Sequence, residues 1–372
     1  MLVRTPFYEI KMEGEDITPW VSSVTVVEDD QQADNVTIAI PDPRMIYADG
    51  LFEGSGVEVD LGYAEPSQHA LMLRAIITKA ELSYPENGIP SLTLKGEDKS
   101  IMMGLVEKKK IWREQKVTDI VRKVADANGF KHVEAQLSPD PMIRSKPIHQ
   151  DGKTDLAFLQ ELAKKYHAKC FVELDEHGEE ILYFIPERRI VKLNRPDKLV
   201  LYYRTGPNSN LISFSPSFDS SYMDRLKEVS DVDKHGNKIE SQDKPPTEVV
   251  IWELDKVRMA QASKQDHAKI NKLYELGSKR KHELQQKLAS RRPAVGEVAP
   301  DQSEVESTND VYESRRQGMT ANGSTFGNIW LRAKSRVTVE GVNQRFNGDW
   351  YVSTVTHKID SSGYKTDFKC VR

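Results

Sequence analysis

The sequence predicts an α+β protein that is mainly β, with two similar small β-barrels, a small α+β module between them and a helical, charged insertion in the second barrel. Three observations support this fold class. Short runs of alternating apolar and polar residues, separated by turn residues, fill both ends of the chain. Two apolar patterns of helical spacing lie between them, and a long charged stretch follows. At 372 residues, the chain has room for about two to four domains.

The strongest β signal is a three-stranded meander at residues 336–371. Residues 337–340 alternate between apolar and polar side chains, and residues 350–357 are rich in aromatic and β-branched types. In residues 364–370, every second residue falls on one face of a strand. Glycine-containing dipeptides at the turns are Asn347-Gly348 and Ser362-Gly363.

A similar meander pattern occurs once before, at residues 57–62, 73–78 and 91–96. Few residues are identical, so the repeat is one of pattern. Two interpretations remain open at this point. Either the chain carries a structural duplication, with one barrel near each end, or it carries two ordinary meanders.

Residues 1–104 are predicted to form the first β-barrel. Alternating patterns precede the first meander at residues 7–12, 23–27 and 36–40, and the last of these ends at Pro41, where proline terminates a strand. Several short strands with turn signals between them favour a barrel or a sandwich.

Residues 105–190 predict the α+β module of two helices and a hairpin. Apolar residues recur at helical spacing over residues 117–125 and again over 155–167. Gly129 stands where a C′ glycine belongs, and Thr154 is a suitable N-cap.

The hairpin of this module, residues 170–174 and 181–185, has an acidic turn. Its turn residues are Asp175, Glu176, His177, Gly178, Glu179 and Glu180. Carboxylates beside an imidazole are compatible with a metal site or an acid pair. An exposed hairpin turn is the favoured interpretation, because Gly and acidic residues are typical of such turns.

The second barrel is predicted to consist of residues 191–225 plus 326–372, with residues 226–325 inserted into it. Within the insertion, residues 257–292 form a charged helical pattern with sparse apolar positions, which fits either a solvated helix or a helix that packs on a partner. Residues 293–317 are rich in Pro, Ser and acidic residues and predict a flexible linker.

Composition narrows the classes of function. The chain has 53 basic and 57 acidic residues, a net charge of -4, so no general basic excess is available to hold a nucleic acid. No run reaches the roughly 18 apolar residues of a membrane span, and the N-terminus lacks a signal-peptide pattern. Cys170 and Cys370 lie in strand-like runs and are predicted to be buried thiols in a reducing compartment, without a disulfide or a role as zinc ligands.

Catalytic motifs are weak or incomplete. His282-Glu283 lacks the second histidine of a zincin helix, because Gln286 takes that place. Residues 54–56 predict a turn and not a phosphate loop, and the charged run at 107–110 fits a solvated connector or a contact with an acidic partner. We therefore predict no catalytic, cofactor-binding or metal-binding residues, and a protein that is not an enzyme.

Several motifs together resemble a known family. They are Thr154-Asp155-Leu156-Ala157-Phe158-Leu159-Gln160-Glu161-Leu162-Ala163, residues 341–352, Thr356-His357-Lys358-Ile359 and Gly363-Tyr364-Lys365-Thr366-Asp367-Phe368. With the order of the units, they resemble the phage late control gene D protein family, the baseplate hubs of contractile tails, which is similar to the N-terminal part of VgrG spike proteins. The resemblance covers nearly the whole chain outside residues 230–325.

The resemblance implies a structural role. Members form a homotrimeric ring in which each chain gives two tail-tube-like barrels, so that three chains make a pseudo-sixfold annulus. Such a ring joins a sixfold tail tube protein to a threefold central spike protein, contacts baseplate wedge or other hub components, and lets DNA or an effector pass through its lumen without membrane insertion. The implied location is the bacterial host cytoplasm during assembly, then the baseplate of the virion or injection particle.

Two alternatives from other classes stay open. One is a tail-associated peptidoglycan or peptide hydrolase, which a catalytic triad, a metal motif or a paired glutamate would indicate. The other is a monomeric binding module without a role in a tail. Whether the machine is a phage, a tailocin or an extracellular injection system does not follow from the sequence.

Overall fold

The computed structural model of this chain describes residues 4–47, 49–50, 53–65, 68–137, 140, 142–143, 147–166, 168–175, 177–186, 190, 199–204, 206, 209–219, 230–232, 238–240, 256–289 and 318–372. The strands are β1 Pro6–Met12, β2 Glu15–Asp16, β3 Ser23–Asp29, β4 Asn35–Pro41, β5 Gly56–Tyr63, β6 His69–Ser83, β7 Ser91–Glu97, β8 Glu107–Trp112, β9 His132–Ala135, β10 Ile148–Thr154, β11 Ala168–Leu174, β12 Glu180–Pro186, β13 Leu199–Tyr202, β14 Leu211–Phe218, β15 Ser230–Val232, β16 Lys238–Glu240, β17 Met319–Phe326, β18 Ser335–Glu340, β19 Gly348–Asp360 and β20 Gly363–Val371. The α-helices are α1 Val117–Ala127, α2 Asp155–Lys165, α3 Lys256–Met259 and α4 Lys264–Ala289, and short 3₁₀ helices span Thr18–Trp20 and Lys99–Gly104.

The main sheet contains the same arrangement of strands twice. In the first half, the order across the sheet is β1-β5-β6-β7-β4-β3. In the second half, it is β13-β18-β19-β20-β17-β14. Numbered by their order along the chain, the two halves have one topology, in which the long second strand of each meander, β6 or β19, lies near the centre. The predicted meander repeat is therefore a repeat of strand order.

The two halves share one sheet. Strands β3 and β19 pair antiparallel, from Thr354 opposite Asp29 to Ile359 opposite Val24. This pairing joins the halves into a 13-stranded sheet, and no closed barrel is found among the strands that the structure describes. The prediction of two separate barrels is corrected to this extent, because an edge strand of the first half pairs with the second half.

Individual residues of the two halves correspond as well. Thr78 Oγ1 donates to the Lys95 carbonyl at 3.4 Å, and Ser353 Oγ donates to the Lys369 carbonyl at 3.2 Å. Thr78 lies in β6 and Ser353 in the equivalent strand β19, while the two lysines lie in β7 and β20. These equivalent bonds align Thr78 with Ser353 when the two halves are compared.

A second pair of bonds extends this correspondence to the strand before. The Gly54 amide donates to the Ile77 carbonyl at 2.7 Å, and the Lys334 amide donates to the Val352 carbonyl at 2.8 Å. Both donors have positive φ, +86° at Gly54 and 60° at Lys334. The predicted turn at residues 54–56 is confirmed, and its counterpart carries a lysine in a backbone conformation that usually selects glycine.

The α+β module of residues 107–186 has its own core. Helices α1 and α2 pack their apolar faces with the hairpin β11–β12, around buried Val121, Phe158 and Phe184. The predicted caps are confirmed: Thr154 accepts a hydrogen bond from the Ala157 amide at 3.2 Å, and Gly129 follows α1 with a φ of +75°. The prediction that the charged run at 107–110 is a connector is wrong, because these residues lie in strand β8, which pairs with β10.

The chain groups into two compact units. The first consists of residues 1–215, 322–338 and 350–370, and it contains most of both sheet halves together with the α+β module. The second consists of residues 216–321, 339–349 and 371–372, and its described parts include the hairpin β15–β16 and the helices α3 and α4. The four segments predicted as domains stay a prediction.

The insertion lies between β14 and β17, the counterparts of β3 and β4. Where the first half has a short turn at residues 30–34, the second half has residues 219–318. The predicted charged helix is two helices, because α3 and α4 are separated by residues 260–263. Ser263 caps α4, accepting a bond from the Asp266 amide at 3.1 Å. The predicted linker at 293–317 lies outside the described residues.

The cysteines and the helices complete the fold. Cys170 and Cys370 are buried and free, as predicted, and burial raises the pKa of the Cys170 thiol to about 12. Among the helices in the described part of the chain, none combines the length and the apolar character that crossing a bilayer requires.

Candidate assembly surfaces

The seam between the halves is the pairing of β3 with β19, and the polar and apolar residues of both strands alternate across it. Val24, Val26, Val355 and Ile359 face the core, as does His357, which is fully buried. The seam continues past β3, where the Asp30 amide donates to the Ser353 carbonyl at 3.0 Å. A buried edge-to-edge ladder of this kind satisfies backbone groups that would otherwise require water.

Beneath the seam lies a cluster of buried charges, the seam cluster. It contains the acids Glu28, Asp30, Asp34, Asp98 and Glu173 and the cations Lys169, Arg332 and Lys334. The members come from β3 and its turn, from the start of the 3₁₀ helix after β7, from β11 of the α+β module and from the segment before β18. Charges that distant in sequence must be brought together by folding, and each is costly to bury without a partner.

Arg332 connects three segments. Its Nε bonds the Glu28 carboxylate, and its Nη2 lies 2.9 Å from Glu173 Oε1 and 3.2 Å from the Met72 carbonyl. The other oxygen of Glu28 accepts the Ala333 amide at 2.9 Å. A guanidinium suits this position because its planar fork directs several donors at once.

Lys334 is the most enclosed cation of the cluster. Its Nζ lies 2.9 and 2.8 Å from the two carboxylate oxygens of Asp34, and 5.0 Å from the centre of the Phe171 ring. Asp34 in turn accepts the Asp29 amide at 2.8 Å. The buried ion pair holds Lys334 in place despite its positive φ, which ordinarily disfavours a residue with a Cβ.

Five acids face three cations in the seam cluster, and burial raises the pKa of two of the acids. Burial raises the pKa of Asp34 above its ordinary value, against the attraction of Lys334. Burial also raises the pKa of Asp98, although hydrogen bonds from Ser100 and from the Asp34 amide oppose it. Burial works against the charge of Lys334, but the surrounding carboxylates outweigh it and raise its pKa, so the lysine stays charged.

Among the described strands, open edges occur at the sheet ends formed by β13 and by β1 with β2, and also at β14 and along part of β6. Strand β14 is the last strand on its side and pairs only with β17. In the long strand β6, residues 69–76 pair with β5, whereas residues 78–83 have no strand on that side. We call residues 78–83 the β6 tail. Unpaired edges of this length are templates for another strand.

The outward face of the sheet is polar. Ser, Thr and Asn residues alternate along it, among them Ser213, Ser215, Thr354, Thr356, Thr25, Thr37 and Asn322. Three of its lysines have acidic partners: Lys95 lies 2.9 Å from Glu81, Lys365 lies 3.0 Å from Asp367, and Lys358 lies 2.8 Å from Asp360. Surface depressions of about 290 and 250 Å³ open on this face, and serine, threonine and charged side chains line most of them.

A family model for the phage tail baseplate hub, the GPD family, matches residues 53–363. The chain belongs to this family. The hub protein also resembles solved structures over nearly its whole length. A tail protein from Neisseria meningitidis MC58 superposes with a TM-score of 0.65 at 15% identity, covering 99% of this chain and 97% of that one. The 43 kDa tail protein of prophage MuSo2 from Shewanella oneidensis gives 0.63 at 13% identity, covering 99% and 98%.

A third resemblance extends the fold beyond phages. The E. coli c3393 protein, a component of the type VI secretion system described as structurally similar to T4 tail proteins gp27 and gp5, superposes with a TM-score of 0.57 at 13% identity. That match covers 97% of this chain and 76% of the other. At such identities, the likeness concerns the fold alone. A comparison with curated protein sequences finds no match.

The acidic turn of the hub protein is stabilised by hydrogen bonds within its own hairpin. Asp175 Oδ1 accepts the amides of His177 and Glu179, each at 2.8 Å, which lowers the pKa of Asp175. Glu180 lies 3.4 Å from Lys99, and the Gly178 carbonyl accepts a bond from Arg74 at 2.6 Å. The favoured interpretation as a structural turn fits these contacts. Glu176 lies outside the described residues.

The family motif on α2 has a clear structural task. Asp155 is buried, and its carboxylate accepts bonds from Lys108, from Asn128 at 2.7 Å and from Gln150 at 2.8 Å. Burial opposes ionisation of Asp155, but these three donors outweigh it, and the pKa of the carboxyl lies below its usual range. The motif therefore ties α2 to β8, α1 and β10.

The seam cluster was not predicted from the sequence. Arg332 and Lys334 alternate with Leu331 and Ala333 just before the closing meander, and their partners Glu28 and Asp34 are some 300 residues earlier. Nothing local distinguishes them from surface charges. The one available signal is the meander alignment, which pairs Lys334 with Gly54 and so marks it as unusual.

Proposed function

We propose that the hub protein forms a homotrimeric ring in which each chain supplies two equivalent units, so that three chains present six. The observation that carries this proposal is the shared strand order of the two sheet halves. A ring of three such chains has exact threefold symmetry and, because each chain has two like units, approximate sixfold symmetry. It can therefore match a sixfold tail tube on one side and a threefold central spike on the other. Each half then corresponds to one tail-tube-like unit.

We place the polar sheet face towards the lumen of the ring. Its Ser and Thr residues offer no apolar surface to a passing chain, and its lysines at 95, 358 and 365 already have carboxylate partners. Tight contacts with phosphates require unpaired cations. This face therefore suits the passage of DNA or of a protein effector without retention.

The other partners follow from the same assembly. Baseplate wedge or further hub components would contact the outside of the ring, where we place helix α4, and assembly would take place in the bacterial host cytoplasm before the particle is completed. We retain the division into residues 1–104, 105–190, 191–225 plus 326–372, and 226–325 as the proposed domain organisation. Within the described residues, no contact favours the alternative of a peptidoglycan or peptide hydrolase.

The decisive experiment is the mass of the particle in solution. Native mass spectrometry of the purified hub protein, alone and with its cognate spike protein, is expected to give three copies of the 42.3 kDa chain. Two-dimensional classes from electron microscopy should then show six similar lobes. A single copy in both samples would exclude the ring.

A further inference from the structure

The duplication makes a specific prediction about the open edges. Inside the chain, the edge strand β3 of the first half pairs with the central strand β19 of the second half. The counterpart of β3 is β14, and the counterpart of β19 is β6. Both counterparts have an open edge among the described strands. We infer that β14 of one copy pairs with the β6 tail of the next copy, repeating the internal seam between chains. This inference rests on the ring proposed above.

The register follows from the alignment of the halves. With Thr78 equivalent to Ser353, the β6 tail corresponds residue by residue to the part of β19 that β3 covers, and Lys79 corresponds to Thr354. Alternation agrees with this alignment. Ala80 and Leu82 fall at the positions of Val355 and His357, which face the core.

The residues of β14 can likewise be aligned with those of β3. Backbone bonds from Asp219 to the Gly318 carbonyl and from Arg372 to the Met319 carbonyl fix β14 against β17 and β17 against β20. In the first half, Lys95 of β7 lies opposite Thr37 of β4, which lies opposite Thr25 of β3. Lys369 is the equivalent of Lys95, so the same steps in the second half make Ser215 the equivalent of Thr25 and Asp219 the equivalent of Asp29.

Transferring the seam register to the new pair places Lys79 opposite Asp219, Glu81 opposite Ser217, and Ser83 opposite Ser215. In the internal seam, the equivalent of the first pair is Thr354, whose hydroxyl donates to Asp29 at 2.9 Å. A lysine opposite an aspartate preserves a polar contact at that position and adds opposite charges.

Exposure distinguishes the open edge from the closed one. Leu82 is 43% exposed, whereas its counterpart His357 is 0% exposed. Tyr84 is 58% exposed, whereas its counterpart Ile359 is 2% exposed. On β14, Ile212 is 46% exposed. Apolar side chains at the positions that the internal seam buries are what a second copy of this chain would cover.

Pro216 makes the second seam weaker than the first. It corresponds to Val26 of β3, and since the Asp219 amide points towards β17, the nitrogen of residue 216 faces the open edge. A proline there leaves out one donor of the ladder without disturbing the fold of the chain, a common feature of edge strands. Pairing of β14 with the β6 tail therefore adds to ring contacts and does not replace them.

Disulfide trapping tests the register. In the internal seam, Asp30 and Ser353 form a hydrogen-bonded pair, so the pairs equivalent to Glu81–Ser217 and Ser83–Ser215 are non-hydrogen-bonded, with Cα atoms about 4.5 Å apart. Protein carrying only Glu81→Cys is mixed with differently tagged protein carrying only Ser217→Cys and oxidised. Cys170 and Cys370 are buried and remain in both.

The expected product is a mixed dimer that forms only when both variants are present, and likewise for Ser83→Cys with Ser215→Cys. The matched control pairs Glu81→Cys with Ser213→Cys, whose strand position is four residues away, about 13 Å, and it should give at least about tenfold less product. Thermal melts of each single variant confirm that the fold is kept.

The possible results separate the two proposals. A trimer that gives no 81–217 and no 83–215 product, or as much 81–213 product, overturns the strand pairing and leaves the ring intact, with the edges free for the tube or spike. A protein that stays monomeric, alone and with the spike, overturns both.

Discussion

Replacing Lys334 by methionine tests whether the seam cluster depends on the balance of its charges. Methionine is similar in length, so the substitution removes mainly the charge, which faces Asp34 at 2.8 Å and lies 5.0 Å from the centre of the Phe171 ring. Lys334 and Asp34 are both buried, with side-chain exposures of 1% and 5%. Removing one member of such a pair leaves the other charge without compensation and typically costs about 3–5 kcal/mol of unfolding free energy.

The sign of the pH dependence gives a second reading of the same variant. Because the pKa of Asp34 is raised in the folded state, that state binds more protons than the unfolded chain at pH values above the ordinary carboxyl pKa. The contribution of Asp34 is therefore fully present at acidic pH and declines as pH rises through its folded pKa. Without Lys334 the pKa of Asp34 rises further, so the loss in Lys334→Met should be smaller at pH 5 than at pH 7.5.

Urea unfolding followed by circular dichroism at both pH values measures these effects. The matched control is the double variant Lys334→Met with Asp34→Asn, which removes both charges and should recover part of the lost stability at pH 7.5. A loss below about 1 kcal/mol in the single variant, or a double variant no more stable than the single, would refute a buried ion pair at this position.

Three further outcomes are expected. Asp155→Ala should cost about 2–3 kcal/mol in urea unfolding, because Lys108 and two amides lose a buried acceptor; since the pKa of Asp155 is lowered, its contribution is present above the ordinary carboxyl pKa and is lost as pH falls, so the wild type and the variant should converge in acid. Gly323→Ala should cost about 1–3 kcal/mol, because the new Cβ would lie 2.2 Å from the Phe368 ring, and an unchanged melting temperature would contradict this packing. Thr154→Ser should retain the cap of α2 whereas Thr154→Ala loses about 1 kcal/mol, and equal stabilities would argue against the cap.

Local patterns were sufficient for many of the elements of this chain. The caps at Thr154 and Gly129, the acidic hairpin turn and both meanders are written in residues that are close in sequence. Alternation of apolar and polar residues with a period of two specifies which face of a strand is buried. This holds wherever one side of the sheet is exposed to solvent.

The arrangement of the halves could not be predicted in the same way. Whether β3 closes onto its own half or onto β19 depends on which edge is nearer in the folded chain, and residues separated by more than 300 positions decide it. The seam cluster has the same origin, since Glu28 and Arg332 are compatible with an exposed surface until folding brings them together. The charged run at 107–110 was misread for a related reason, because Lys108 pairs with Asp155 and the run pairs with β10, and both partners lie some 40 residues later in the chain.

Placing the long insertion in only one of two like units has a consequence for recognition. A ring of six equal units offers a neighbour six indistinguishable places to attach. Because the β14–β17 connection is expanded and the equivalent β3–β4 connection is not, alternate units of the proposed ring would carry an appendage and the others would lack one. A component that binds the appendage would find three sites on a surface that otherwise presents six. The inserted connection could then change in evolution while the units without it keep the match to the proposed tube.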